Sequence, residues 1–372
     1  MQKLWRLLFF SGAGLIFTLG CGSGELPTAV EQPQQLYAPL IRSDQDIPVL
    51  DGRAEERAWQ LAPVYRVFLD NNNGGIGLPA DGILVNMQAV WWRVVVDTTH
   101  VSPTRIDTTF ASYVGFHLTW PDADKNLTPK PWQYNPVDST WSQSAQGGDW
   151  LLLVWNSFSE DTDLWYWDAA TTNPMGYFQD MVFEGYDTGN TVEPLFVRID
   201  GLNFFNDTRT AQNTWDPNLD NNNTPSNLRD DRPKLAWKND PNATPPALPP
   251  VYSSTEENRH FLLTSEAVAL VTSAYARPAT AVTVPSAVLQ EPAGGSADIR
   301  AFGRHENGKW TLEFARIAKA TDNNDVLFNP DTRFFSQAFA LALGNNTAGA
   351  FDEDRDQLTI RNTVTITFEF RR

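Results

Sequence analysis

The chain has 372 residues, of which 28 are basic and 45 acidic, for a net charge of −17. That balance excludes nucleic acid as a main partner, because phosphate binding needs a basic footprint, and it excludes charge-driven docking on anionic lipid. A hydrophobic content of 41% supports a packed core in one large or two smaller domains, and a single cysteine rules out an intrachain disulfide, a c-type haem pair and a thiolate metal cluster.

Lys3 and Arg6 form a positive start, and residues 7–19 an apolar run too short for a membrane span. The run closes with Thr18-Leu19-Gly20-Cys21 and is followed by Gly22-Ser23-Gly24. This ending resembles a bacterial lipoprotein signal, with Cys21 as the lipidated residue. It implies a signal over 1–20, a Gly-, Pro- and Gln-rich flexible tether over 21–45, and a body over 46–372. Without Lys3 and Arg6 the mature chain keeps 26 basic groups against 45 acidic, −19. The expected product is exported, held at a bacterial membrane only by lipid, and faces the periplasm or the outside. Loss of the sole thiol to lipid suits an oxidising compartment.

The body carries no helical periodicity longer than about three turns. Strands are predicted over 83–92, 112–120 (closed by Pro121-Asp122), 150–155, 309–316, 334–343 and 362–370. Turn clusters at 70–75 and 305–308 separate them, and Asn307-Gly308 between Phe302 and Trp310 is a hairpin signal. Fourteen tryptophans suit strands and sandwich cores. Residues 202–260, with the polar run 216–223 and prolines over 241–250, read as a long polar insertion rather than a second core. The stretch 255–272 fits one short helix or a strand pair. The fold class expected is mostly β, a β-sandwich with a polar insertion.

Several motifs then occur in a telling order. Asp51-Gly52 with Ala58-Trp59 and Ala62 resembles the opening strand shared by family 9 carbohydrate-binding modules and the haem-binding domain related to ethylbenzene dehydrogenase. Thr119-Trp120-Pro121-Asp122 with Pro131-Trp132, then Gly148-Asp149-Trp150 leading to Trp155, resemble the second of these. So do Asp163-Leu164-Trp165-Tyr166-Trp167-Asp168, Gly176-Tyr177 and Asp180. The closing run Gly308-Lys309-Trp310-Thr311-Leu312-Glu313-Phe314-Ala315-Arg316, then Thr321 and Asp325-Val326, is the best match. The likeness spans roughly 46–200 and 260–370.

The resemblance implies a sandwich holding one b-type haem between a methionine and a lysine. It also implies an electron-transfer role beside a periplasmic redox protein or a molybdenum oxidoreductase subunit. Carried onto this sequence, Met175 is the thioether candidate, with Met87 and Met181 as alternatives, because the strand 151–154 where the family methionine falls has none. Lys319 is the amine candidate, and burial can make a lysine a ligand. His117, mid-strand between aromatic residues, is a further iron-ligand candidate, whereas His305 is expected in an exposed turn. Trp155, Trp165, Trp167 and Tyr177 form an aromatic block that suits a haem wall, a sugar platform or a plain core. Asp216, Asn218 and Asp220 have calcium-loop spacing, without the glycine and glutamate that complete such a loop, and Asp352, Asp354 and Asp356 alternate too. There is no nucleophile elbow, zinc helix, phosphate loop or dinucleotide fingerprint, so the chain is not expected to be an enzyme by itself. The alternative function is a non-catalytic carbohydrate- or protein-binding lipoprotein that has lost the haem.

Overall fold

The computed structural model describes residues 35–69, 82–102, 105–155, 163–186, 202–206, 215–221, 231–237, 260–270, 282–319, 325–330, 334–347 and 357–369. The signal and Cys21, the turn cluster at 70–75, the proline-rich stretch 241–250 and the second acidic alternation at 352–356 lie outside the described residues.

In chain order the strands are β1 (Gln35–Ala38), β2 (Leu40–Ile41), β3 (Tyr65–Leu69), β4 (Ile83–Ser102), β5 (Arg105–Pro121), β6 (Trp132–Asn135), β7 (Thr140–Gln143), β8 (Gly148–Trp155), β9 (Asp163–Asp168) and β10 (Gln179–Tyr186). There follow β11 (Leu202–Asn206), β12 (Trp215–Pro217), β13 (Leu235–Trp237), β14 (Leu262–Leu263), β15 (Ala267–Ala269), β16 (Val282–Val284) and β17 (Ala287–Leu289). β18 (Arg300–Glu306), β19 (Lys309–Ile317), β20 (Phe334–Thr347) and β21 (Gln357–Phe368) close the chain. The helix α1 (Arg57–Leu61) lies between β2 and β3.

Two large sheets make a sandwich. One has the order β1-β21-β20-β8-β9-β10-β11; the other runs β18-β19-β5-β4-β2, with β3 also on β4. Strand period two sorts the residues. Val114, Phe116, Leu118 and Trp120 of β5 and Trp310, Leu312 and Phe314 of β19 face the first sheet's Leu151, Leu153, Trp155, Trp165 and Trp167. β8 and β9 are buried at every position, which explains their unbroken apolar sequence. The β18–β19 hairpin turns on Asn307 and Gly308, both at positive φ, as the dipeptide predicted.

Two boundaries differ from the sequence reading. The segment assigned to the tether enters the sandwich from Gln35: Leu36 and Ala38 are buried, β1 pairs with β21, and β2 pairs with β4. The alternation of apolar and polar residues at 35–38 is a strand pattern that the Gln and Pro content concealed. The insertion, in turn, is not purely polar excursion. Ala236 and Trp237 join Trp132, Tyr134, Trp141, Leu262, Leu270, Val284 and Val288 in a second apolar cluster. A few apolar residues grouped at Leu235-Ala236-Trp237 sufficed, because the β6–β7 hairpin and the short strands β14, β16 and β17 brought most of the rest. The stretch 255–272 holds β14 and β15 joined by a 3₁₀ turn, Thr264–Glu266.

Candidate functional site

β19 presents one buried charge on each face. On the inner face, Arg316 is fully buried beneath the ring of Trp165, its Cζ 5.3 Å from the centroid. Three buried carboxylates surround it. Asp325 accepts from Nη2 at 2.5 Å, Asp163 from Nη1 at 3.3 Å, and Asp180 lies 4.0 Å from Nη1. Asp163 also accepts the Val326 amide at 2.7 Å. The members come from two of the recognised motifs: Asp163 and Asp180 from the block that runs through Gly176-Tyr177, Arg316 and Asp325 from the closing run.

Three carboxylates against one guanidinium leave two negative charges in excess. Desolvation pushes Asp163 up to about 6, against the pull of Arg316. Burial pulls Arg316 down, but the carboxylates outweigh it and its pKa is raised. The oxygens of Asp163, Asp180 and Asp325 lie within 4.8 Å of one another, close enough for a divalent cation. Arg316 already supplies the cation they face. The cluster is sealed from solvent, and its chemistry is to fix the sandwich.

On the outer face, Glu313 gathers donors from the N-terminal layer. The indole Nε1 of Trp59 donates to Oε1 at 2.6 Å, and the Gly52 amide donates to Oε2 at 2.8 Å. The Asp51 and Ala54 amides also donate to Oε2, each at 3.3 Å. Burial raises the Glu313 pKa, and these donors pull it back. Gly52 has φ +74°, and a Cβ there would meet Arg304 Cβ at 2.7 Å. The Asp-Gly…Trp motif is thus a latch: the glycine permits the turn that aims its amide at Glu313.

His117 stands opposite Glu313 in the β5–β19 register, on this outer face and tilted against Trp59. Gln88 Nε2 donates to the carbonyls of Trp59 and Ala62, so Gln88 Oε1 must accept from His117 Nδ1 at 2.8 Å. The imidazole is therefore the Nδ1–H tautomer, and its buried Nε2 has no hydrogen-bond partner. Burial, then the charge of Lys309, lowers its pKa to about 4.

At the other end of β19, Trp310 Nε1 donates to Asp149, which also accepts from the Asn126 amide at 2.8 Å. Burial first, and then the Asp149 charge, push neighbouring Asp122 up to about 7. His305 is half-buried rather than exposed, because its Nε2 bonds the Asp122 carbonyl at 3.0 Å and its ring meets Trp310.

A family model described as "Ethylbenzene dehydrogenase" matches residues 156–353. The chain belongs to the ethylbenzene dehydrogenase family. The match takes in the whole Arg316 cluster together with Glu313; the early Asp51-Gly52, Trp120 and Asp149 motifs precede it. A comparison with curated proteins gives no match.

The resemblance implies haem for this ethylbenzene dehydrogenase-family chain, and the residues carried over do not fit it. Met175 sits half-buried in the turn Asn173–Met175 beside β18, where Asn173 bonds Gly303. Lys319 is exposed past the end of β19. Met87 and Met181 are buried, Met87 in the main core. None of the described lysines (125, 130, 234, 309 and 319) is buried. His117 points away from the core, onto α1. Trp155, Trp165 and Trp167 line no slot. Trp155 packs on Trp165 at 5.4 Å and edge-on to Phe328 at 5.4 Å, while Trp167 meets Trp310 at 5.0 Å. These rings are core, unavailable to haem or sugar. Tyr177 is buried under Arg300, whose Cζ is 4.0 Å from its ring centroid. A cleft of about 280 Å³ between Pro129, Pro131, Ala170, His260, Phe261 and Pro285 contains neither methionine nor lysine.

The calcium candidates do not converge. Asn218 is buried, and its amide serves Leu235 and Pro285. Asp220 pairs with Arg232 at 2.9 Å, and Asp216 accepts from Gln290 at 3.1 Å. The spacing fits a loop, but the three side chains are each taken by a different partner and do not share a ligand. Sequence reasoning quoted Asp163, Asp180, Arg316 and Asp325 as motif letters without seeing that they meet. The signal was available: one arginine and three aspartates, each beside apolar residues where charge is costly.

Proposed function

We propose that this ethylbenzene dehydrogenase-family chain is an exported, lipid-tethered docking subunit that works beside a periplasmic redox partner and has given up the haem of a Met–Lys site. The observation that carries this reading is the closure of the aromatic block: Phe116, Trp155, Trp165, Phe314 and Phe328 pack ring on ring where the resemblance implies a cofactor wall. Family membership supports a redox context. The lipoprotein-type ending at Cys21 supports a membrane anchor outside the cytoplasm. The acidic surface suits a basic partner, with fast and salt-sensitive encounter.

The test is a visible absorption spectrum of the mature chain, produced in a periplasm with haem available and read oxidised and dithionite-reduced. The expected protein is colourless and stays so when haem is added. A Soret band with sharp reduced α and β bands would overturn the reading in favour of a haem-carrying electron-transfer domain. Its response to Met175→Ala and Lys319→Ala would then identify the ligands.

A further inference from the structure

Two buried carboxylates join the sheets at one end. Asp122 follows the last residue of β5, and Asp149 is the second residue of β8; they are 6% and 1% exposed. A chain of two side-chain amides links them. Asn345 on β20 donates to Asp122 Oδ1 at 3.3 Å, and Asn126 donates to Asn345 Oδ1 at 3.3 Å and to Asp149 Oδ1 at 3.2 Å. The Asp124 amide donates to Asp122 Oδ1 at 3.1 Å, and the Asn126 amide and Trp310 Nε1 donate to Asp149 Oδ2. These donors are neutral dipoles, turned toward two acids that feel each other's charge.

Burying two neighbouring carboxylates favours the state in which one keeps its proton. Burial first, and the Asp149 charge second, hold the Asp122 carboxyl up at about 7. The Asp124 charge pushes the same way, against the Asp124 amide and the Trp310 indole. The loop after β5 also brings Lys125, exposed like Asp124. The β18–β19 hairpin brings half-buried His305, whose Nε2 bonds the Asp122 carbonyl, and exposed Glu306 and Lys309.

The pair holds a working segment. Asn126 is tied to Asp149 by its amide and its side chain, and its carbonyl accepts the Asp149 amide at 3.1 Å. Farther along the same loop the Pro129 carbonyl accepts from Ser286 Oγ at 2.6 Å. Thr128, Pro129 and Pro131 wall one side of the cleft that Ala170, Phe261 and Pro285 close on the other. Residues 122–131 thus run from the carboxylate pair to the cleft.

We propose that Asp122 and Asp149 form a proton-operated clasp on residues 122–131, closed while the pair keeps one proton and loosened, together with the cleft wall, once both acids are ionised. The clasp stands apart from the haem question, and either outcome of the spectrum leaves it in place. In an opened loop Asp122 returns to water and to a carboxylate value near 4. The closed form therefore loses its advantage as pH rises from about 4 to about 7, by up to about tenfold per unit, and loses no more above that.

Hydrogen exchange of the mature chain carrying Cys21→Ser, followed by mass spectrometry from about pH 5 to about pH 8.5 and corrected for the intrinsic rate, reads this opening directly. Peptides over 122–131 should lose protection by roughly tenfold per unit up to about pH 7 and then level off, a larger change than in peptides from β19. Asp122→Asn should abolish the slope, and Asp124→Asn in the same loop should keep it. Should Asp122→Asn fail to fold, Asp149→Asn serves: with the neighbouring charge gone, the levelling point should move to lower pH. A loop whose exchange follows that of β19 at every pH would overturn the proposal. So would a slope that survives Asp122→Asn, or a levelling point that Asp149→Asn leaves in place.

Discussion

Glu313 and Arg316 lie three residues apart on one strand, and the two faces of the sandwich accommodate them differently. Glu313 is met by neutral donors, three backbone amides and an indole. Arg316 is met by opposite charge, and by more of it than balances. Dipoles can be added one by one until a charge is satisfied. Counter-ions bring charge of their own, and here three of them leave a surplus. The outer face is thus a latch that can be weakened stepwise, and the inner face a unit that fails together.

The largest expected effect follows from that difference. Arg316→Leu leaves three carboxylates buried without their cation and should cost about 3–5 kcal/mol, enough to unfold much of the population in a urea titration. Adding Asp163→Asn and Asp325→Asn to Arg316→Leu should recover part of the loss, because an uncharged cluster is tolerated better than a half-emptied one. No recovery would show that packing of the guanidinium on Trp165, and not charge, dominates.

A smaller effect is expected on the outer face. Glu313→Gln keeps the shape but turns one acceptor into a donor facing an amide or an indole, at about 1–3 kcal/mol. The near-ultraviolet signal of Trp59 should change while the Arg316 cluster stays intact. Equal damage from the two substitutions would erase the distinction between the faces.

The smallest effects appear as pH slopes. The His117 pKa is lowered to about 4, so its contribution is complete above the unfolded value near 6.5 and is lost as pH falls from there toward 4. Asp163 and Asp122 are raised, to about 6 and about 7. Their contribution is complete below the unfolded value near 4 and is lost as pH rises through those pKa values. The slopes oppose one another. His117→Asn should therefore flatten the acid side of a thermal-melt profile, and Asp163→Asn the side toward neutrality. A profile unchanged by either would remove these groups from the pH response.

Much of the sandwich was legible from alternation. The strands over 150–155 and 309–316 match β8 and β19 within two residues, that over 112–120 covers only the second half of β5, which starts at Arg105, and Asn307-Gly308 marks the β18–β19 hairpin. The strand over 83–92 was cut short, because Val94, Val95 and Val96 break the alternation where both faces meet solvent. The motifs were legible as letters, but their meeting was not. Asp163 and Arg316 are 153 residues apart, and only the pairing of the sheets places them together. Met175 and Lys319 have roles only from the resemblance; one stands half-buried in a turn and the other exposed past a strand end.

The first described strand carries one more consequence. β1 runs parallel to β21, residue against residue from Gln35–Thr365 to Ala38–Phe368. Directly after it Glu369 accepts the Leu40 amide at 3.0 Å and the Arg42 guanidinium at 2.6 Å. A pull on the chain ahead of Gln35 therefore loads this pairing in shear, so that its hydrogen bonds must give way together and cannot be unzipped in turn. The arrangement makes the join between the body and whatever precedes it a mechanical fastening, whose strength is set by how fast the strand can slip and not by its equilibrium stability.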